Sequence, residues 1–473
     1  MGFVRGEGRD QGSLFPVRLD ELIPEGHLVR VVDVFVERLD LGALGFEKTA
    51  PAATGRPCYH PGDMLRLYLY GYLNRVRSSR RLERECGRNV ELMWLLGRLA
   101  PDHKTIAEFR RLNGKGVRGA CAAFVRFCRH AGLLGGHWVA IDGSKFQAVA
   151  SREKALTREQ LHREQAQAEQ RVAQYLAELD ASDKQDGEAL VTEERLRAAL
   201  EALDQHATTQ ALMEELGQSQ YVAGEPDAKI MRTTAGSQVA YNVQTAVDAQ
   251  SALIVAHEVT SEATDNRSLE PMAKAAQQAL GAKTLKVVAD AGYSNGEQAA
   301  ACEASGIEPF VPPNRSGNTH GGGMLFDASR FIYDAKSDTY RCPANQLLRR
   351  KQLMRAERAV LYTTSACGSC HLKSQCTTGG QRHVMRHLFE DALQRLRRRI
   401  EQHPEAMKLR RATVEHPFGT IKYQIFGNPR FLVRSRWAAG TEMALAVLVY
   451  NLKRAANLLG GHGLLQHLAA TSP

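Results

Sequence analysis

No run of apolar residues in this chain approaches the roughly 18 that a membrane-crossing helix needs. The opening stretch MGFVRGEGRDQGSLFP is polar and lacks the apolar core of a secretory signal, so the protein is expected to stay in the cytoplasm and off the membrane. The HExxH pattern of a zinc hydrolase is absent. Nine cysteines in a reducing compartment do not make a disulfide framework, and Cys58, Cys86, Cys121, Cys128 and Cys302 stand singly, as small apolar residues do. What remains is a 473-residue chain with 43% hydrophobic and 24% charged residues, neither fibrous nor wholly disordered and long enough for two or three domains. Lys and Arg outnumber Asp and Glu by 62 to 52, giving a formal charge of +10 and a pI near 9.2. That balance favours a polyanionic partner, nucleic acid first.

From Leu19 to about Leu134 the apolar residues recur at helical spacing, as in LDELIPEGHLVRVVDVFVERL and PGDMLRLYLYGYLNRVRSSRRLERECGRNVELMWLL. Pro61, Gly62 and Asp63 predict a helix start. Arg75, Arg77, Arg80 and Arg81 cluster near a helix-helix junction, where they read either as a phosphate grip or as a solvated helix face. After Gly135 and Gly136, HWVAID predicts a strand ending on Asp142. Residues 152–218 then turn charged and Ala-, Gln-, Glu- and Leu-rich, with Leu161, Ala168 and Tyr175 on one seven-residue series and Val172 and Leu179 on the next. Leu196, Leu200, Leu203 and Ala207 mark a returning helix beyond the polar turn ASDKQDGE, so a helical hairpin insertion is expected.

QVAYNVQTAVD and ALIVAHEV predict a β-hairpin about Ala249, Gln250 and Ser251. NRSLEPMAKAAQQALG reads as a helix stopped by Gly281, TLKVVAD as a buried strand ending on Asp290, NGEQAAACEASG as a helix and IEPFVP as a strand. With the insertion removed, three strands followed by alternating helix and strand match an RNase H-like α/β arrangement. Its first and fourth strands are neighbours, which would set Asp142 beside Asp290.

Phosphodiester chemistry needs ionised oxygens that hold two divalent cations roughly 4 Å apart, one for the attacking and one for the leaving oxygen. A third carboxylate is therefore expected, and Glu415 in RRATVEHPFGTIKYQIFG follows the basic helical run ALQRLRRRIEQHPEAMKLRR. Asp227, Asp248 and Asp265 also lie in this half of the chain. Asp248 sits where a strand turns and Asp265 precedes a helix, so a turn and a cap are the expected roles.

The segments IDGSKFQAVAS, VVADAGYSN and RRATVEHPFGTIK resemble the three catalytic blocks of DDE transposases of the IS4 and IS5 type, most of all the IS1182 family. The resemblance extends through HPGDMLRLYLYGYLNRVRSSRRLERECGRNVELMWLLGRLAPDHKTIAEFRR and NLKRAANLL, leaving out the helical insertion and the extreme termini. That family carries a Tyr, two residues, Arg, three residues, Glu, six residues, Lys pattern. Arg411, Glu415 and Lys422 meet it, and Lys408 stands where tyrosine is expected. The resemblance implies Asp142, Asp290 and Glu415 as catalytic ligands of two Mg2+ or Mn2+ ions, with Arg411 and Lys422 on phosphates near the scissile bond.

Cys342, Cys367, Cys370 and Cys376 follow a C-x24-C-x2-C-x5-C spacing. Four thiolates suit a closed tetrahedral zinc site, with free thiols as the alternative and His371 a substitute ligand. Related transposases carry such a cluster between the second aspartate and the glutamate.

The expected organisation is a helical DNA-binding domain over 1–134, a catalytic domain over 135–454 interrupted by the hairpin at 152–218 and a Cys-rich insertion at 325–380, and a C-terminal tail over 455–473. The implied activity is that of a bacterial insertion-sequence transposase, cutting and joining double-stranded DNA at inverted repeats and working as a homodimer or larger synaptic complex. A domesticated non-cleaving DNA-binding protein and an RNase H-like structure-specific nuclease are the competing readings.

Overall fold

Proline has no N–H to leave unsatisfied in a first helical turn, and Pro61 opens its helix as the sequence predicts, with the His60 imidazole accepting from the Gly62 amide. The computed structural model describes residues 18–51, 54, 57–182, 189–215, 217–233, 236–313, 325–326, 328–355 and 357–470. Its N-terminal part is helical: α1 (Leu28–Glu37), α2 (Pro61–Leu73), α3 (Ser79–Cys86), α4 (Val90–Leu95), α5 (His103–Leu112) and α6 (Gly114–His130). Asn89 and Asp102 cap α4 and α5 through their side-chain oxygens.

Next come β1 (Trp138–Gln147), β2 (Ala155–Thr157), α7 (Arg158–Ser182), α8 (Ala189–Glu215), β3 (Gln220–Val222), β4 (Lys229–Thr233), β5 (Gly236–Asp248), β6 (Ile254–Thr260), α9 (Leu269–Leu280), β7 (Leu285–Val288), α10 (Gly296–Ala304) and β8 (Ile307–Phe310). The helices α7 and α8 pack on each other as the expected hairpin, and the short pair β2–β3 closes its base. The turn expected at ASDKQDGE lies, over 183–188, outside the described residues, as does the side chain of Leu179.

One mixed sheet organises this part. Its central strand β1 runs antiparallel to β5, with Val139 opposite Asp248 and Gln147 opposite Ala240, and parallel to β7. Both β4 and β6 pair with the far edge of β5, and β8 runs parallel to β7. Strand β4, over KIMRT, carries too little alternation to be read from the sequence. On one face Val139, Ile141, Ala246 and Val287 pack against α9 and α10, the former ended by left-handed Gly281.

Beyond β8, strands β9 (Ile332–Asp334), β10 (Thr339–Arg341), β11 (Leu347–Met354) and β12 (Ala359–Thr363), the short helix α11 (Lys373–Cys376) and β13 (Val384–His387) build a separate small sheet with its own core of Tyr340, Leu348 and Tyr362. Then follow α12 (Glu390–Gln402), α13 (Ala406–Gly419), a π-helical turn over Thr420–Ile425, and α14 (Arg436–Ala470). Ala406 and Val414 pin α13 to the second sheet face, against Ala140, Val288 and Phe310. Burying one valine fully is worth about 1.5–3 kcal/mol, so this contact fixes the helix beside the strand ends.

The N-terminal helices do not stand apart. Val32, Leu65 and Phe124 share one hydrophobic cluster with Tyr241 of the sheet and with Met443 and Leu448 of α14. The segment 455–470, expected as a tail, continues α14 past a break at Gly460 and buries Leu464 and Leu468 in that same cluster.

Candidate active site

Asp142 lies inside β1 rather than at its end, opposite Thr245 of β5, because the strand runs on through Gln147. Asp290 follows β7 and accepts the Gly292 amide at 2.8 Å, capping the turn Ala291–Tyr293. Since β1 and β7 are parallel neighbours, the two carboxylates come side by side as the sequence predicts. A single guanidinium nitrogen of Arg410 holds both, 2.7 Å from Asp142 Oδ1 and 3.1 Å from Asp290 Oδ2. Burial is the main influence on Asp142 and pushes its pKa up; Arg410 pulls it down and Asp290 pushes it up.

Glu415 is on α13 but on its exposed side, while Arg410, Thr413 and Val414 face inward. Among the described residues no three carboxylate, imidazole or thiol groups converge as a metal cluster. The structure thus joins two members of the expected triad and sets the third apart. Arg410 went unread because its neighbour Arg411 meets the family spacing; the inward positions Ala406, Thr413 and Val414, three and four residues away, are the helical signal that marks it.

Asp265 is not the helix cap expected of it. Its Oδ1 accepts from Asn242 Nδ2 and Gln244 Nε2, both at 2.7 Å, and from Lys145 Nζ at 3.4 Å. Tyr293 donates its hydroxyl to Gln244 Oε1, and the charges of Asp265, Asp142 and Asp290 add to burial in raising that phenol's pKa. This polar floor lies directly beneath Gly143, whose missing side chain leaves room for it. Asp248 does take the expected turn role, accepting from Gly136, Gln250 and Ser251.

Of the basic residues expected on DNA, Arg80 and Arg81 are exposed on α3, and Arg411 is exposed on α13. Arg75 is exposed and donates to the Gln424 carbonyl. Arg77 is a correction: it is buried, paired to Glu442 and set over the Phe426 ring, so its charge is spent inside the protein. Lys422 is half-buried beside Phe146; burial lowers its pKa, and the charge of Asp142 opposes the shift.

Residues 17–112 match the family described as "Transposase domain (DUF772)", and residues 218–452 match "Transposase DDE domain". The chain belongs to the DDE transposases. Asp290 and Glu415 fall within the DDE match, and Asp142 lies between the two matched segments, on the strand that adjoins β7. No curated protein matches the chain. A solved structure, the cryo-EM structure of a piggyBac transposase synaptic complex with hairpin DNA, shares 8% identity at a TM-score of 0.33, covering 93% of this chain and 76% of that one. A likeness of that size carries no weight for fold or mechanism.

In the Cys-rich unit Cys342, Cys367, Cys370 and Cys376 line one small cavity without converging as a metal cluster. The four thiols are near enough that the other three add to burial in raising the pKa of Cys376, against the pull of Arg382. The Cys342 and Cys367 sulfurs accept from the backbone amides of Gln346 and Arg382. No helix among the described residues is long and apolar enough to cross a membrane.

Proposed function

We propose that this chain is the transposase of a bacterial insertion sequence of the IS1182 type, cutting double-stranded DNA at its element's inverted repeats and joining the ends to target DNA. The observation that carries the reading is the pair Asp142 and Asp290 on neighbouring parallel strands, both carboxylates drawn to one positive charge. An RNase H-like core fits the strand order, with β6, β5 and β1 antiparallel and β7 and β8 parallel beside them.

Carboxylate oxygens that already share a cation suit hard divalent ions, and Asp142, Asp290 and Glu415 would hold two Mg2+ or Mn2+ ions. When bound, such ions activate the attacking oxygen and stabilise the leaving one. The chain's own residues place the DNA. Arg75, Arg80, Arg81 and Arg411 present exposed guanidinium groups to phosphates, and Lys422 stands near Asp142, where the scissile phosphate would lie. Water first bonds to phosphorus as the P–O3′ bond breaks, leaving a 3′-hydroxyl and a 5′-phosphate. That hydroxyl then attacks a target phosphodiester, forming a new P–O3′ bond and releasing a target 3′-hydroxyl, with no bond to the protein. Two ends must meet, so a homodimer or larger assembly carries out the reaction.

The four cysteines would hold one structural zinc that orders the insertion. The test is incubation of the full chain with DNA bearing the repeats that flank its gene, with Mg2+ or Mn2+ and with chelator. Metal-dependent joined products are expected. Cuts without joining would point to a nuclease, and binding without cuts to a DNA-binding relic; either overturns the reading.

A further inference from the structure

We propose that Arg410 is a further positioning residue of this reaction: a resident cation that holds Asp142 and Asp290 together and must leave before divalent ions and Glu415 can join them. The inference rests on Asp142 and Asp290 being the metal ligands. One nitrogen of Arg410 bonds both carboxylates, the arrangement that a bridging cation would itself adopt. The side chain is 16% exposed, against 20% for Asp142 and 45% for Asp290, so solvent screens the contact little on the Arg410 and Asp142 side.

One detail separates this arginine from a permanent structural brace. It shares a helix with Glu415 at a spacing that forbids both from facing the aspartates. At 100° per residue, positions 410 and 415 lie about 140° apart around α13. With Arg410 and Val414 turned to the sheet, Glu415 is exposed.

The helix has the means to turn. Pro417 removes an amide from its ladder, and the π-helical run Thr420–Ile425 follows directly. Such a run holds about one residue more per turn than an α-helix, so its relaxation rotates the preceding helix by about 100°. That rotation carries Glu415 toward the sheet and Arg410 away from the carboxylates, freeing its guanidinium for a phosphate; it also takes Val414 off Ala140 and Val288, a loss that ion binding has to offset.

The test is Mn2+ binding to the full chain without DNA, read by electron paramagnetic resonance. Arg410→Gln is expected to bind Mn2+ at least about tenfold more tightly than wild type, because the competing charge has gone. Arg410→Lys, which keeps that charge, stays within about threefold of wild type. On the wild-type chain, phenylglyoxal labelling mapped by mass spectrometry is expected to rise several-fold at Arg410 when Mn2+ is added. Equal Mn2+ affinity in wild type and Arg410→Gln, or labelling at Arg410 that Mn2+ leaves unchanged or lowers, overturns the inference alone. If Asp290→Asn in the Arg410→Gln background binds Mn2+ as before, the metal-ligand reading itself fails.

Discussion

Arg77 and Glu442 form an ion pair at 2.8 Å that ties the segment between α2 and α3 to α14, with Glu442 0% exposed. The other Glu442 oxygen accepts the Leu432 amide at 2.8 Å, and Arg77 also bonds the Arg430 carbonyl. Removing one partner strands a buried charge. Glu442→Ala is therefore expected to cost about 3–5 kcal/mol in urea unfolding. By contrast Arg80→Ala and Arg81→Ala should change stability by less than about 0.5 kcal/mol while each lowers the salt dependence of DNA binding by about one unit of slope. A neutral Glu442→Ala would remove the distinction drawn between buried and exposed arginines.

Gly143 is kept small by its neighbours. A β-carbon there would stand 2.4 Å from Gln244 Nε2 and 2.6 Å from Asp265 Oδ1, so the polar floor would have to move. Gly143→Ala is expected to destabilise the fold by about 1–3 kcal/mol and to lower strand transfer, since Gly143 adjoins Asp142. Denaturant unfolding checks the first effect and product yield the second. Wild-type values in both would mean the floor is slack.

Asp142 has its pKa raised chiefly by burial, so the folded chain holds that proton more tightly than the unfolded chain does. Its contribution to stability is fully present below the unfolded value, near about 3.9, and is lost as pH rises through the higher folded value. In metal-free buffer the stability of Asp142→Asn relative to wild type should accordingly grow with pH across that window. Thermal unfolding of both proteins over a pH series measures it. A difference that does not vary with pH, or that shrinks as pH rises, would contradict the assigned environment.

The cysteine unit makes a separate claim. Purified protein is expected to carry one zinc per chain by elemental analysis, with Cys367→Ser and Cys370→Ser losing it. Chelation should expose the Cys-rich unit to protease before the main sheet, because that unit has its own small core. A zinc-free native protein with four titratable thiols would leave those residues as free cysteines.

Much of this architecture is legible in the residues. Apolar alternation gives β5, apolar density gives β7, and stop signals such as Gly281 fix where α9 ends. The placement of Asp142 beside Asp290 follows from strand order. Less accessible were relationships set by packing between distant segments. Arg77 looks like its exposed neighbours until Glu442, 365 residues on, is brought against it. Asp265 has the sequence setting of a cap, yet its partners come from β1 and β5. Arg410 and Arg411 are adjacent and chemically equal, and only the side of α13 buried against the sheet tells which one meets the aspartates.

The central claim is that Asp142, Asp290 and Glu415 form one catalytic set although Glu415 stands apart from the aspartates here. Its most direct measurement is metal-dependent cleavage and joining of inverted-repeat DNA by wild type, Asp290→Asn and Glu415→Gln, with folding checked by circular dichroism. Both variants are expected to bind the DNA and lose cleavage and joining alike, by at least about a hundredfold. Cleavage that survives Glu415→Gln would contradict the triad and leave the two aspartates to act with another ligand.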